Sequence, residues 1–183
     1  MNDIKNMVKY ARNFFISSVI ATILSIPVAN AATEDETEFL KAALSTKSET
    51  IKQLLEKGIN INYQNEMGFS ALIIASQYGH ADIVHLLLEK GANVDLKNAG
   101  GATALIIAAK NGHADVVTAL LAKGAQFDVQ TTDGITALML AIQKGHEGIV
   151  DALLAKGANI NLQTKDKVTA LMIAALEGRA SIV

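Results

Sequence analysis

Three stretches of the chain repeat one another at a fixed spacing. Residues 103–125 read TALIIAAKNGHADVVTALLAKGA, residues 136–158 read TALMLAIQKGHEGIVDALLAKGA, and residues 169–183 begin the phrase again as TALMIAALEGRASIV. Two series of glycines share the spacing of 33 residues: Gly58, Gly91, Gly124 and Gly157, and Gly79, Gly112, Gly145 and Gly178. A period between about 20 and 50 residues indicates stacked supersecondary units, so this repeat decides the fold.

Each unit predicts two short helices separated by a glycine. A hydroxyl residue suited to an N-cap opens the first helix, and a glycine that can adopt the left-handed conformation ends it. Apolar pairs four residues apart give the second helix one apolar stripe. The N-cap residues are Ser70, Thr103, Thr136 and Thr169, and the stripes are Ile83, Val84, Leu87 and Leu88, then Val116, Val117, Leu120 and Leu121, then Ile149, Val150, Leu153 and Leu154. Asn- and Gly-containing stretches between units predict extended, hairpin-like arms.

The same spacing divides the chain into units. A divergent first unit, predicted to act as a cap, covers residues 34–65 and places Phe39 in register with Leu72. Complete units cover residues 66–98, 99–131 and 132–164, and an incomplete unit covers residues 165–183. Because a unit of this size buries too little surface to fold alone, each must rest its apolar stripe on its neighbours.

The order of these residues resembles the ankyrin-repeat family. The family consensus D-x-x-G-x-T-P-L-H-x-A-A-x-x-G-H, followed by V-x-x-L-L-x-x-G-A-x-x-N, is matched by GATALIIAAKNGHADVVTALLAKGA at residues 101–125 and by GANINLQT at residues 157–164. The resemblance covers about residues 34–183. It implies an all-α solenoid of helix-turn-helix units with β-hairpin-like connecting arms.

Two positions depart from the family pattern in every unit. The proline of the consensus is replaced by Ala71, Ala104, Ala137 and Ala170, and the histidine that follows its leucine is replaced by Ile73, Ile106, Met139 and Met172. We therefore expect apolar packing to replace the hydrogen bonds that this histidine makes in the family.

The N-terminal residues predict a secretory signal. Lys5, Lys9 and Arg12 precede an uncharged apolar run at residues 14–28, which ends in Ala29-Asn30-Ala31. A basic region, an apolar region and a small-x-small site define a signal peptide, so we expect residues 1–31 to be cleaved between Ala31 and Ala32. The chain would then be periplasmic or secreted, without a membrane contact. An uncleaved membrane anchor is the alternative, although the apolar run is shorter than the roughly 20 residues of a spanning helix.

Composition and repetition together argue against catalysis. The net charge of −2 gives no sign of nucleic-acid binding, and the absence of cysteine excludes disulfides, thiolate metal sites and cysteine nucleophiles. Polar clusters recur with the repeat and are explained by helix ends, whereas a catalytic site requires a unique converging cluster. We predict no catalytic, cofactor or metal residues. A cryptic hydrolytic site would need a non-repeating cluster, and His85 is the only histidine outside the repeat.

Two recurring features imitate ligand sites. His80, His113 and His146 lie at equivalent points of adjacent units, but helices that stack about 8–10 Å apart cannot share a metal bound at about 2.1 Å. The resemblance implies instead that these histidines bond loop backbone. Gly100-Gly101 lacks the Lys-Ser/Thr that follows in a phosphate-binding loop, and it is predicted to be a turn.

Positions that differ between otherwise similar units are the candidates for binding a protein partner. The resemblance places them on the concave, hairpin side of the solenoid. The candidate residues are Met67, Phe69, Gln77, Tyr78, Lys110, Asn111, Asp133, Ile135, Gln143 and Lys144. Phe69, Tyr78 and Ile135 are the predicted apolar anchors, since large apolar side chains, aromatics above all, carry interface energy. The alternative is that these surface positions are unconstrained.

The predicted function is an exported, non-catalytic scaffold for a protein partner of unknown identity. The alternatives are a dedicated periplasmic regulator or immunity partner of one enzyme, and a secreted effector directed at a host. The final unit leaves Leu171, Met172, Ile182 and Val183 on an open edge, so we expect a monomer unless that edge pairs. One hypothesis is that the natural product is longer or that the gene is truncated, and the other is that the half unit frays or docks on another chain.

Overall fold

A computed structural model describes residues 33–179. The predicted signal peptide with its cleavage site at Ala31 and Ala32 lies outside these residues, as do Ile182 and Val183. Within the described range the regular elements are nine helices, which confirms the all-α prediction. They are α1 Glu34–Leu44, α2 Ser48–Glu56, α3 Ala71–Tyr78, α4 Ala81–Glu89, α5 Ala104–Asn111, α6 Ala114–Ala122, α7 Ala137–Lys144, α8 Glu147–Ala155 and α9 Ala170–Leu176. From residue 33 to residue 179, no helix combines the length and the apolar character needed to cross a membrane.

The helices form two layers. The inner layer is the row α1, α3, α5, α7 and α9, in which each helix packs on the next. The outer layer is the row α2, α4, α6 and α8, and each outer helix packs on the inner helix that precedes it in the chain. The core lies between the layers and runs continuously from Phe39 to Ala174, so every unit shares its core with its neighbours.

The inner helices begin and end as the sequence predicts. The hydroxyl oxygens of Ser70, Thr103 and Thr136 accept hydrogen bonds of 3.2–3.4 Å from the backbone N–H groups three residues later. Gly79 and Gly112 end α3 and α5 in the left-handed conformation, with φ of 71° and 81°. Each unit therefore fixes both ends of its inner helix locally.

The predicted apolar stripes of the outer helices are buried, except at the last of them. Leu88 and Leu121 are 6% and 8% exposed, whereas Leu154, at the same position of α8, is 39% exposed. The prediction that Leu154 completes a buried stripe is therefore wrong. Its equivalents lie on α4 and α6, each of which packs on the outer helix of the next unit, whereas within the described residues no outer helix follows α8.

Short arms connect the units. Their hydrogen-bonded turns are closed by side-chain oxygens: Asn65 Oδ1 accepts from the N–H of Phe69 at 2.9 Å, and Asn98 Oδ1 accepts from the N–H of Ala102 at 2.9 Å. In the described part of the chain, antiparallel pairing in the arms is limited to isolated bridges such as Gln64 with Ser70. The arms are thus hairpin-like turns rather than strands.

Candidate partner-binding surface

The repeating histidines hold adjacent units together. His80 Nε2 lies 2.9 Å from the carbonyl oxygen of Leu44, and His113 Nε2 lies 3.0 Å from that of Gln77. His146 repeats the contact with Lys110 at 3.2 Å. A carbonyl can only accept, so each Nε2 carries the proton and donates. The expectation that these histidines bond backbone is confirmed, and their partner is the inner helix of the preceding unit.

The arms form a second set of contacts between units. The N–H of Ala99 donates to the carbonyl of Met67 at 3.0 Å, and the N–H of Thr132 donates to that of Gly100 at 2.9 Å. Lys165 and Asp133 repeat the bond at 3.0 Å. Because each arm tip bonds the tip before it, the tips form a continuous row along the solenoid.

The close approach of the arms depends on glycine. Gly68, Gly101 and Gly134 have φ of 75°, 76° and 80°. A Cβ at Gly68 would lie 2.7 Å from the Cα of Asn98, and a Cβ at Gly134 would lie 2.8 Å from the Cα of Thr164. These positions therefore need glycine both for its backbone conformation and for the space that the next arm fills.

Six of the ten candidate residues line the C-terminal ends of three inner helices. They are Gln77 and Tyr78 on α3, Lys110 and Asn111 on α5, and Gln143 and Lys144 on α7. All six are partly or fully exposed. Neighbouring units meet here, since Asn111 Nδ2 donates to the carbonyl of Gln77 at 3.0 Å. We call these six residues the helix-end row.

The charged side chains of the helix-end row are two lysines, one on α5 and one on α7. Lys110 is partly buried and Lys144 is exposed. Burial lowers the pKa of Lys110, and the nearby positive charge of Lys144 lowers it further. The two ammonium groups therefore repel each other across adjacent units, and this part of the row favours an anionic group.

Tyr78 supplies the aromatic surface of the row. Its ring stacks on that of His80, with centroids 5.9 Å apart and planes 18° from parallel. The histidine is itself held by its bond to Leu44. Tyr78 is half-buried and rests on a fixed neighbour, so its ring can meet a partner with little loss of conformational entropy.

Phe69 corrects the prediction of three exposed apolar anchors. Its side chain is 4% exposed and belongs to the core, so the expectation that it contacts a partner is wrong for this structure. Ile135, at the equivalent position, is half-buried and packs against the same core. The position follows the arm glycine and is held by the turn-closing bond to Asn65, which turns the side chain toward the core.

Two of the candidate partner-binding residues lie at the arm tips. Met67 is half-buried and packs against the core, while Asp133 is exposed. Asp133 faces Lys165 at 3.9 Å, and both side chains are at least 70% exposed. An ion pair so exposed contributes little to stability, so both groups can exchange partners readily.

The sequence analysis overlooked a set of side chains that join the loops leaving the outer helices. Asn62 Oδ1 accepts from the N–H of Asn93 at 2.8 Å, and Asp95 Oδ1 accepts from the N–H of Gln126 at 2.9 Å. Asp128 accepts in the same way from the next unit. Their spacing of 33 residues was the available signal. These periodic acids and amides connect units and do not form a site.

The described residues bring together no group of three or more His, Asp or Glu side chains able to hold a metal ion. His85 stands exposed on α4. Each of the repeating histidines donates a hydrogen bond to a backbone carbonyl of the preceding unit.

Comparison with protein families agrees with this architecture. A family model described as ankyrin repeats (3 copies) matches residues 17–98, 39–131 and 105–183. The matches together span most of the chain. No curated protein matches the sequence.

Proposed function

This chain belongs to the ankyrin-repeat family, and from that premise we propose that it is an exported, non-catalytic scaffold that binds a protein partner through the helix-end row and the arm tips. Proteins of this family are typically interaction modules.

One observation carries the proposal. Residues that join units repeat almost unchanged, as His80 and His113 do, whereas the pair of residues before the helix-ending glycine has a different sequence in each unit. The pair at the end of the inner helix is Gln77-Tyr78 in one unit and Lys110-Asn111 in the next. Stacking therefore leaves the row free to vary, and a row of varied side chains on a rigid support suits specific recognition.

The chemistry of the row indicates the kind of partner segment. Lys110 and Lys144 favour acidic side chains opposite them, and an anionic group there would relieve their mutual repulsion. Tyr78 lies one unit away and offers a ring for an apolar or aromatic side chain. We propose a partner segment with acidic residues opposite α5 and α7 and an apolar residue toward α3.

The test is site-specific photocrosslinking in cells that express the full chain. A photoreactive residue is placed at Asn111 in the row and, as a matched control, at His85 on the exposed face of α4. The proposal predicts a discrete protein adduct from position 111 that is lost with Lys110→Glu and Lys144→Glu together. Adducts of equal yield from both positions, or an adduct indifferent to the charge reversal, would contradict it.

A second variant separates loss of binding from loss of fold. Tyr78→Ala removes a partly exposed ring and should reduce the adduct while the helical circular dichroism persists. Phe69→Ala removes a core side chain and should lower the thermal midpoint. A partner that is lost only with Phe69→Ala would show that the row takes no part.

We propose export from the predicted signal at residues 1–31. N-terminal sequencing of the product should give a start at Ala32, and a start at Met1 would favour the anchor. Within the exported compartment, a dedicated regulator of one enzyme would copurify with it at fixed stoichiometry. A secreted effector would instead be recovered outside the producing cell and bind a host protein. These two outcomes distinguish the alternatives.

A further inference from the structure

One asparagine of the helix-end row is followed by a glycine. Asn111-Gly112 is the single Asn-Gly step among the 183 residues, and Asn111 is exposed at the end of α5. The residues at its position in the two neighbouring units are Tyr78 and Lys144. Stacking therefore does not require asparagine here, and the amide belongs to this unit alone.

The glycine that follows is required by the fold. Gly112 ends α5 with φ of 81°, and a Cβ at this position would lie 2.6 Å from Cε1 of His146. The histidine of the next unit therefore keeps residue 112 a glycine. Glycine has no side chain to shield its main-chain nitrogen from the preceding residue. An asparagine at this place in the row thus always has an accessible nitrogen beside its amide.

The reaction open to such a step is the loss of ammonia from the side chain. The main-chain nitrogen of Gly112 attacks Cγ of Asn111, so a bond from that nitrogen to Cγ forms and the bond from Cγ to Nδ2 breaks. Nδ2 leaves as ammonia with the proton that Gly112 gives up, and a cyclic imide remains. Water opens the imide at the side-chain carbonyl to give aspartate, or at the main-chain carbonyl to give isoaspartate.

Two hydrogen bonds hold the reacting groups apart. Asn111 Nδ2 donates to the carbonyl of Gln77 at 3.0 Å, and the N–H of Gly112 donates to the carbonyl of Ala108. The first bond is exposed, and the second lies just beyond the last residue of α5, where a helix frays first. We propose that Asn111 deamidates spontaneously in the folded chain and that the new carboxylate changes both the stacking and the charge of the helix-end row.

The product alters a contact between units. A carboxylate oxygen in the place of Nδ2 can only accept, as the carbonyl of Gln77 does, so repulsion replaces the hydrogen bond. The carbonyl of Gln77 still accepts from His113 Nε2 at 3.0 Å, so the two units stay stacked. The change is therefore confined to the row.

The product also alters the charge of the row. Residue 111 follows Lys110 and stands in register with Lys144, so its carboxylate would lie beside both lysines. It would offset the repulsion between the two ammonium groups and compete with the acidic partner segment. This effect on the partner rests on the proposed function, whereas the chemical step does not.

Mass spectrometry tests the chemical step. The product of the full chain is kept folded at mildly alkaline pH and then digested at acidic pH, which halts the base-dependent attack. Residue 111 should gain an acid before Asn98, which is buried and precedes alanine, and Asn111→Gln should abolish the change. An Asn111 that stays intact in the folded chain while the urea-unfolded chain converts, or equal rates at Asn98 and Asn111, would overturn the proposal.

A photoreactive residue at Gln143 tests the effect on the partner. Asn111→Asp should lower the yield of the adduct, because like charges opposite each other at an interface are costly. Thr118→Asp adds a carboxylate on the exposed face of α6, and this control should leave the yield unchanged. Equal yields from the parent chain and Asn111→Asp would overturn the effect on the row. If the parent chain itself gives no adduct, the proposed function fails and the mass measurement alone decides the chemical step.

Discussion

At the first unit of the solenoid, Glu38 and Lys41 occupy positions that are apolar and buried in the next unit, whereas on the last described helix the apolar side chains of Leu171 and Met172 are more than half exposed. The first unit begins with a complete capping box between Thr33 and Glu36, in which each side chain bonds the backbone of the other residue. A unit of the solenoid is stabilised by the neighbours on which it packs, so burial differs between a central unit and the last described helix.

Truncating equivalent leucines in a central unit and in the last described helix compares the two regions directly. Leu105 is 1% exposed and Leu171 is 54% exposed at equivalent positions. Leu105→Ala should lower the free energy of unfolding by about 2–5 kcal/mol because it leaves a cavity between units. Leu171→Ala should change it by no more than about 0.5 kcal/mol, as expected at an exposed site. Urea unfolding followed by circular dichroism measures both, and equal losses would contradict the account.

The arm glycine provides the second contrast. Gly134→Ala should lower the free energy of unfolding by about 1–2 kcal/mol from its left-handed φ alone, with an added cost because the new methyl meets Thr164. Lys167→Gly, at the same position of the last unit, should raise the stability of that unit by about 1 kcal/mol, since the left-handed conformation strains lysine. Thermal unfolding of both variants checks the signs. A harmless Gly134→Ala would show that the arms do not pack as described.

A buried hydroxyl distinguishes two otherwise equivalent core positions in adjacent units. Ser76 is fully buried, and its Oγ has no hydrogen-bond partner among residues 33–179, while Ala109 fills the same position of the next unit. An unpaired buried hydroxyl is costly, so Ser76→Ala should raise the free energy of unfolding by about 1 kcal/mol. Ala109→Ser is the matched control and should lower it. The two signs, read from denaturant midpoints, test whether the units are interchangeable.

The smallest expected effect concerns the pH dependence at the helix-end row. The folded pKa of Lys110 lies below its ordinary value of 10.5, so the unfolded chain holds this proton more tightly. The free energy of unfolding should therefore rise with pH between the lowered pKa and 10.5, and this contribution should vanish in Lys110→Met. Lys144→Gln should remove only part of it, because burial is the larger cause.

The measurement must separate the contribution of Lys110 to the pH dependence of stability from that of Tyr63. Burial raises the pKa of Tyr63, and the charges of Glu36 and Glu66 raise it further, so its contribution falls as the pH rises above 10. Comparing the parent chain with Lys110→Met at each pH cancels the tyrosine. If the free energy of unfolding changes equally with pH in both chains, folding does not lower the pKa of Lys110.

Most of the fold could be predicted because its determinants are local and repeated. The N-cap of Thr103, the left-handed Gly112 and the bond made by His113 each follow from a residue type at a fixed place in the period. A 33-residue spacing aligns several examples of every rule. The repeats of this one chain can therefore be compared with one another.

The candidate surface was harder to predict because variation has two physical causes. Gln77 and Lys110 differ and are partly exposed, whereas Phe69 and Ala102 differ and are both buried. A buried position varies when the space left by its neighbours varies, and a sequence without contacts cannot separate that case from a free surface. Only the path of the arm, which points Phe69 at the core, distinguishes them.

Native-state hydrogen exchange measures how strongly the stability of each unit depends on its neighbours. Amides of α5 should exchange only through global unfolding, since α3 and α7 cover that helix on both sides. Amides of α9 should exchange through local opening at a much lower free energy, because within the described residues the inner layer covers α9 on one side only. Amides of α9 that exchange as slowly as those of α5 would contradict the dependence of each unit on both of its neighbours.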